Sequence, residues 1–154
     1  MGVFSLRPLL REDIPALVEI DSISNDPCWT LENFKRELEL SHSLSRVALW
    51  ESVPVGFGIA WKVAEETQIL EIAVLPQHRR KGIATQILSE LSKESVKSGC
   101  KKMVLEVQKD NSMALKFYEQ QGLKIVGTRK NFYTSSQSKQ NIDALLMECD
   151  LPLP

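Results

Sequence analysis

An apolar segment in the middle of the chain leads into a basic turn and then into an amphipathic helical pattern. Residues 69–75 are apolar except for Glu71, which is typical of a central strand covered on both faces. Pro76 ends this strand, Arg79-Arg80-Lys81-Gly82 follows, and residues 83–96 carry apolar side chains at helical spacing. A helix that follows a strand so closely packs back onto the sheet, so the chain is restricted to an α/β or α+β architecture.

The remaining pattern predicts a single domain over residues 1–154, with the element order β-α-α-β-β-β-α-β-α-β-β. The clearest strand covers residues 55–63, where larger apolar side chains alternate with Gly56, Gly58 and Ala60. Those small residues would let another element approach that face closely.

Shorter patterns and turn residues place the other elements. Further strands are predicted over residues 3–9, 44–50, 101–107, 123–126 and 142–151. Helices are predicted to begin at the capping residues Asp13, Thr30 and Asn111. Residues 64–67 are expected to form a polar turn, and residues 131–141 a long hairpin loop.

Composition excludes several classes of function. The net charge of −1 lacks the basic excess of a nucleic-acid-binding protein, so we expect no nucleic-acid partner. No apolar run has the length of a signal peptide core or a membrane span, so we expect a soluble, cytoplasmic protein without a membrane partner. Cys28, Cys100 and Cys149 are widely spaced, which favours buried free thiols over a disulfide framework.

The basic turn can bind phosphate groups. A helix N-terminus carries unpaired N–H groups and a partial positive charge, and Gly82 lets the backbone approach a ligand. Arg79, Arg80 and Lys81 add cations that can contact a pyrophosphate. The turn lacks the spacing of a Walker A loop and of a dinucleotide fingerprint. Taken alone, it can equally be a solvated basic loop at an ordinary helix start.

A second cluster follows in residues 105–122. Glu106 lies near the end of a predicted strand, and Tyr118 lies on the apolar face of the next predicted helix. A carboxylate and a phenol in one cleft can serve as general base and general acid. By themselves, the two can equally be a polar edge residue and a core aromatic.

The segment around the basic turn resembles the acetyl-CoA-binding signature [QR]-x-x-G-x-[GA] of the GNAT N-acetyltransferase superfamily, with Arg79, Gly82 and Ala84 at its three positions. The resemblance implies a GNAT fold: a central, mixed, mostly antiparallel sheet of about seven strands, splayed at the cofactor site, with helices on both faces. It also implies acetyl-CoA as co-substrate. The cofactor contacts that it implies are Ile72, Ala73 and Val74 along the strand and Arg79, Arg80, Lys81, Gly82, Ile83, Ala84 and Thr85 in the turn and helix start.

Residues 105–122 read L-E-V-x-x-x-N-x-x-A-x-x-x-Y-x-x-x-G, which resembles the RimI branch of that superfamily. Enzymes of this branch acetylate the N-terminal amine of a protein, typically a ribosomal protein. The resemblance implies Glu106 as the base on the acceptor amine, acting through water or directly, and Tyr118 as the acid for the leaving thiolate. It also implies Asn111 and Tyr118 as cofactor contacts.

The acceptor side of the resemblance carries departures from the pattern. The branch pattern implies an acceptor groove formed by Trp29, Phe132 and Tyr133. Phe132 replaces a usual Tyr, Thr134 replaces a frequent Pro, and Cys28 is inserted between Pro27 and Trp29. These departures bear on peptide preference and leave the acetyl-CoA side untouched.

Direct transfer suits the available chemistry. An α-amino group of pKa about 7.7–8.0 is roughly 10–20% neutral at pH 7, so one base of ordinary strength suffices. The two histidines, His42 and His78, have no partners at metal-ligand spacing, and no metal is expected. Two alternatives stay open: a GNAT enzyme acting on a Lys side chain or a small amine, and a non-catalytic acyl-CoA-binding sensor.

Overall fold

The structure is a computed structural model that describes residues 2–134 and 141–154, with side chains over residues 2–131 and 141–154. Its element order confirms the predicted one. The strands are β1 (Phe4–Arg7), β2 (Ser43–Trp50), β3 (Val53–Val63), β4 (Glu66–Val74), β5 (Lys102–Gln108), β6 (Lys124–Thr134) and β7 (Asn141–Asp150). The helices are α1 (Ile14–Ser24), α2 (Leu31–Glu37), α3 (Ile83–Lys97) and α4 (Ser112–Gln120), with short 3-10 turns at Arg11–Asp13 and Pro76–His78.

The seven strands form one mixed sheet in the order β1-β2-β3-β4-β5-β7-β6. Every neighbouring pair is antiparallel except β4 and β5, which are parallel. Parallel neighbours need a crossover connection, and α3 supplies it. The predicted mixed, mostly antiparallel sheet of about seven strands is therefore confirmed.

The two parallel strands pair over only part of their length. Their register runs from Glu66 opposite Lys102 to Ile69 opposite Leu105 and stops there. Beyond that point β4 stays paired with β3 as far as Val74, and β5 stays paired with β7 as far as Gln108. The strands thus part in the middle of the sheet, which confirms the expected splay.

Helices cover both faces of the sheet, as predicted. On one face α3 buries Ile87, Leu88 and Leu91, and the α4 residue Tyr118 belongs to the same core. On the other face α1 and α2 bury a separate core around Leu17, Phe34 and Phe57. The splayed strands lie between these two cores, so the opening is bounded by rigid packing on both sides.

Three local predictions were wrong. Residues 131–134 continue β6 instead of opening a loop, because Phe132, Tyr133 and Thr134 are residue types that favour strands and this stretch pairs with β7. Residues 135–140 of the predicted loop lie outside the described residues. The turn expected over residues 64–67 is shorter, because β4 already begins at Glu66.

The third correction concerns Asp13, whose side chain does not cap α1. It forms a two-pronged ion pair with Arg7, at 2.6 and 2.9 Å, and accepts a hydrogen bond from the Leu10 backbone N–H at 2.9 Å. Asp13 is 3% exposed, so this pairing compensates a buried carboxylate and fixes the entry to α1. Thr30 and Asn111, in contrast, cap their helices as predicted.

The small face of β3 lies against α3, as its alternation predicts. A Cβ atom added at Gly58 would lie 2.5 Å from Ile87 Cγ2 and 3.0 Å from Leu91 Cδ1, and both of these side chains are fully buried. Gly58 therefore sets the distance between the sheet and the helix whose N-terminus carries the basic turn.

We expect Gly58→Ala to destabilise the protein by about 1–3 kcal/mol, because the added methyl group overpacks a core that cannot relax freely. Urea unfolding followed by circular dichroism measures the change. Gly127→Ala is the matched control, since a Cβ there would meet a Leu146 methyl group at 3.3 Å. Equal unfolding midpoints for the Gly58 variant and the wild type would contradict the close approach.

Candidate active site

The gap between β4 and β5 opens into a cleft of about 1140 Å³. Its walls come from the α1–α2 connection, β4, the basic turn with the start of α3, the end of β5, and α4. Most of the predicted cofactor-binding residues line it, namely Ile72, Ala73, Val74, Arg79, Arg80, Gly82, Ile83, Ala84, Thr85, Asn111 and Tyr118. Of the predicted cofactor contacts, only Lys81 is not part of its lining.

The β4 backbone presents hydrogen-bonding groups to this cleft. The Leu75 N–H donates to the Val55 carbonyl at 2.8 Å, which makes these two a hydrogen-bonded pair of the β3–β4 ladder. Because such pairs alternate along an antiparallel ladder, the N–H and C=O of Val74 and Ile72 point away from β3 and toward the cleft. The corresponding groups of Ala73 point to β3 instead. Ile72 and Val74 are thus the residues that can bind an extended ligand arm.

The basic turn ends in a glycine that holds a left-handed conformation. Gly82 has φ of +77° and ψ of 12° and forms the N-cap of α3, where no side chain of the described residues caps the helix. A Cβ at this position would meet nothing within 4 Å, so the backbone angle and not the available space favours glycine. The first N–H groups of α3 therefore open on the cleft, as binding a pyrophosphate requires.

The three cations of the turn have different surroundings. Arg79 donates from Nε to the Val74 carbonyl and from Nη2 to Ser24 Oγ, both at 3.2 Å. It therefore braces the turn against the end of β4 and the end of α1, while Arg80 lines the cleft beside it. The two arginines together keep positive charge at this end of the cleft, where a phosphate group is predicted to bind.

Lys81 turns toward a different part of the surface. Its Nζ lies 4.6 Å from the centre of the Trp50 ring and 3.3 Å from His78 Nδ1. This cation–π contact holds the ammonium over β2. The predicted role of Lys81 in cofactor binding stays a prediction.

Glu106 and Tyr118 reach the same cleft from opposite faces of the sheet. Leu105 and Val107 belong to the α3-side core, so Glu106 between them points to the α1 side. Tyr118 is 9% exposed and belongs to the α3-side core. Both line the cleft because the sheet is open at this point.

Two contacts support this pair, and the first of them was not predicted. Arg129 Nη2 lies 3.1 Å from Glu106 Oε1, so the carboxylate is ion-paired from β6. Asn111 Oδ1 accepts a hydrogen bond from the Ala114 backbone N–H at 3.1 Å, which caps α4. Asn111 therefore positions the helix that carries Tyr118, whatever else its side chain contacts.

The predicted acceptor-groove residues are not brought together among the described side chains. Trp29 is not part of the cleft lining and packs against Phe34, with ring centres 5.2 Å apart. Phe132 and Tyr133 lie on β6, but their side chains are outside the described ones. Their role in binding an acceptor stays a prediction.

Sequence reasoning missed an acidic pair in the cleft. Glu71, the one charged residue in the apolar β4 pattern, lines the cleft. Burial, a hydrogen bond with Asp21 and the charges of Asp21 and Cys28 together raise the pKa of Glu71 to about 10. Asp21 itself is 0% exposed on α1. A lone acid in an otherwise apolar strand was the available signal, but its partner could not be read from spacing.

The described residues contain no group of three or more His, Cys, Asp or Glu side chains that could hold a metal ion. The three cysteines are free, and Cys28 is exposed, so the expectation of buried thiols was wrong for that residue. None of the helices in the described part of the chain is long and apolar enough to cross a membrane.

Residues 14–123 match the acetyltransferase (GNAT) family, and this stretch is more than half of the chain. The protein therefore belongs to the GNAT acetyltransferase family. The [ribosomal protein bS18]-alanine N-acetyltransferase of Haemophilus influenzae is 31% identical over 143 residues, covering 90% of this chain and 93% of the relative. The enzyme of the same name from Escherichia coli K12 is 28% identical over 146 residues, covering 93% and 95%.

Solved structures show the same fold over nearly the whole chain. The ribosomal-protein-S18-alanine N-acetyltransferase from Escherichia coli superposes with a TM-score of 0.87 at 24% identity, covering 99% of this chain and 96% of that one. Arabidopsis thaliana NAA60, solved in complex with acetyl-CoA, superposes with a TM-score of 0.87 at 19% identity, covering 97% and 99%. The predicted fold is thereby confirmed.

The raised pKa of Glu71 predicts a pH-dependent stability. Between about pH 4.5 and about pH 10 the folded protein holds a proton on Glu71 that the unfolded chain has lost. The stabilisation that this proton gives the folded protein is therefore complete below the pKa of Glu71 in the unfolded chain. It is lost as pH rises through the pKa of Glu71 in the folded protein, by ~1.4 kcal/mol per pH unit for one proton. We expect Glu71→Gln to remove this slope.

The measurement is the free energy of unfolding of the variant and the wild type from pH 5 to pH 9. Glu66→Gln is the matched control, because Glu66 is an exposed acid on the same strand. Parallel curves for wild type and Glu71→Gln would show that Glu71 is ionised in the folded protein.

Proposed function

We propose that this protein transfers the acetyl group of acetyl-CoA to the N-terminal α-amine of a protein, with a ribosomal protein as the favoured acceptor. The observation that carries the proposal is the parted sheet, at which a phosphate-binding helix start, Glu106 and Tyr118 line one cleft. The Haemophilus influenzae and Escherichia coli relatives, which match over at least nine-tenths of the chain, are named as N-acetyltransferases of ribosomal protein bS18. NAA60, which shares the fold, was solved with acetyl-CoA.

The cofactor end of the cleft suits coenzyme A. The open first turn of α3 and Arg80 can bind the pyrophosphate, and the cleft-facing groups of Ile72 and Val74 can bind an extended arm as an added strand would. A Val74 N–H turned into the cleft can donate to the carbonyl oxygen of a thioester. Acetyl-CoA supplies that thioester as the co-substrate.

The acceptor end supplies the proton transfers. We assign Glu106 as the general base that takes a proton from the amine as it attacks the carbonyl carbon. Tyr118, on the opposite side of the opening, is assigned as the acid that gives a proton to the departing sulfur. The two proton movements balance, since the amine loses one proton and the thiolate gains one. No covalent enzyme intermediate is needed.

Incubation of the protein with acetyl-CoA and short peptides tests the proposal. Peptides with free N-termini, the same peptides with blocked N-termini and an internal Lys, and small polyamines are compared. We expect acetylation at the free N-terminus, located by fragmentation mass spectrometry. Modification of Lys or of the polyamine alone would assign the protein to the alternative acceptor class.

We expect Glu106→Gln to lower kcat/KM for the acceptor peptide by roughly a hundred- to ten-thousandfold while leaving the affinity for acetyl-CoA unchanged. The amide keeps the shape of the side chain and loses its basicity. Glu148→Gln is the matched control, because Glu148 lies on the neighbouring strand β7 and is also ion-paired, to Lys102 at 3.4 Å. Wild-type turnover by the Glu106 variant at neutral pH would refute its role as base.

A further inference from the structure

A second carboxyl group lies on the acceptor side of the cleft. Glu71 on β4 pairs in register with Ile59, a member of the α1–α2 core, so its side chain points to the same face of the sheet as Glu106. Both Glu71 and Glu106 line the cleft. The proposed mechanism uses Glu106 and leaves Glu71 unexplained.

Asp21 lies beside Glu71 and already has two hydrogen-bond donors. Its Oδ1 accepts from Asn25 Nδ2 and its Oδ2 from the Trp29 backbone N–H, both at 2.6 Å. Each oxygen of this buried carboxylate therefore has a donor. The charge of Asp21 therefore opposes a second charge on Glu71.

Glu71 Oε2 is fully buried and has no hydrogen-bond partner among the described residues. Buried polar atoms are rarely left unpaired, and two ionised carboxylates cannot bond to each other. A proton on Glu71 donated to Asp21 resolves both problems. The burial of Oε2 leaves Oε1 as the oxygen that can face the cleft.

Among the described residues, the groups that act most strongly on the pKa of Glu71 supply no counter-ion for it. Asp21 faces it from α1 and Cys28 from the α1–α2 connection, and neither carries positive charge. The guanidinium of Arg129 lies on Glu106 at 3.1 Å. The acceptor end thus contains one ion-paired carboxylate and one carboxyl that holds its proton.

We propose, on the basis of the proposed function, that Glu71 is an acceptor-binding residue whose uncharged carboxyl accepts a hydrogen bond from the neutral N-terminal amine while Glu106 takes the amine's proton. The class of ligand is a primary amine in its unprotonated form. A second ionised carboxylate at this position would favour the ammonium form, which has no lone pair for attack. An uncharged oxygen holds the amine without that penalty.

Two variants at Glu71 separate the hydrogen bond from the charge. Glu71→Gln keeps an oxygen acceptor and is uncharged, and its amide N–H can donate to Asp21. Glu71→Leu removes both polar atoms. We expect the leucine variant to raise the peptide KM roughly ten- to a hundredfold, with acetyl-CoA affinity unchanged, and the glutamine variant to restore most of that loss. The same two changes at the exposed Glu66 serve as controls.

Equal losses in the glutamine and leucine variants would overturn the proposal, because they would show that a charged Glu71 is required. An unchanged peptide KM in the leucine variant would overturn it as well, since Glu71 would then not contact the acceptor. If the wild type acetylates no peptide N-terminus, the proposed function fails instead, which is a distinct result.

The pH dependence gives a test that does not depend on the leucine variant folding. Burial and the charge of Asp21 both keep the proton on Glu71. Asp21→Asn removes that charge and so lowers the pKa of Glu71, and the rise of peptide kcat/KM with pH should move to higher pH as Glu71 ionises. In the Glu71→Gln background the same Asp21 change should not move it. Equal shifts of the pH profile in the wild-type and Glu71→Gln backgrounds would show that Asp21 acts only through the α1–α2 connection, and they would overturn the proposal.

Discussion

The parting of β4 from β5 after the pair of Ile69 and Leu105 is the constraint on which the whole site depends. An unbroken sheet would place the cleft-facing groups of β4 in a ladder and keep Glu106 and Tyr118 on opposite faces. The opening leaves the cleft-facing backbone groups of β4 unpaired by a strand and brings Glu106 and Tyr118 to one cleft. Because α3 is the crossover between these same strands, its N-terminus begins close to the end of β4. One interruption of the ladder thus creates the proposed phosphate-binding end and the proposed reacting end of the cleft together.

The charge of the cleft is divided between those ends. Arg79 and Arg80 lie at the phosphate end, which suits a polyanionic co-substrate. At the acceptor end Glu71 and Glu106 line the cleft and the buried Asp21 lies behind Glu71, yet the negative charge is limited by a proton on Glu71 and by Arg129. Three free carboxylates would hold an amine as its unreactive ammonium form. The observed arrangement instead suits an amine that must lose a proton to react.

The sequence alone predicted the element order, the helices on both faces of the sheet and the basic turn, because each rests on local periodicity or on adjacent residues. The continuation of β6 through residues 131–134 was missed, since an edge strand carries no apolar alternation there. The contacts of Arg129 with Glu106 and of Asp21 with Glu71 were also missed. Their members lie far apart in the chain, and only the register of β5, β7 and β6 and the packing of α1 on β4 bring them together.

Three hydrogen bonds hold the end of α1 and the α1–α2 connection in place. Ser24 accepts from Arg79 at 3.2 Å, the Asp26 carbonyl accepts from Gln108 at 2.7 Å, and the Trp29 N–H donates to Asp21. The partners in these three contacts lie on the basic turn, on β5 and on α1. The side chains of Pro27 and Cys28 take no part in the three contacts. We infer that substitutions or insertions between these contacts reshape the acceptor side of the cleft without moving Glu106 or the basic turn. Acceptor preference can therefore diverge in this family while the transfer chemistry stays in place.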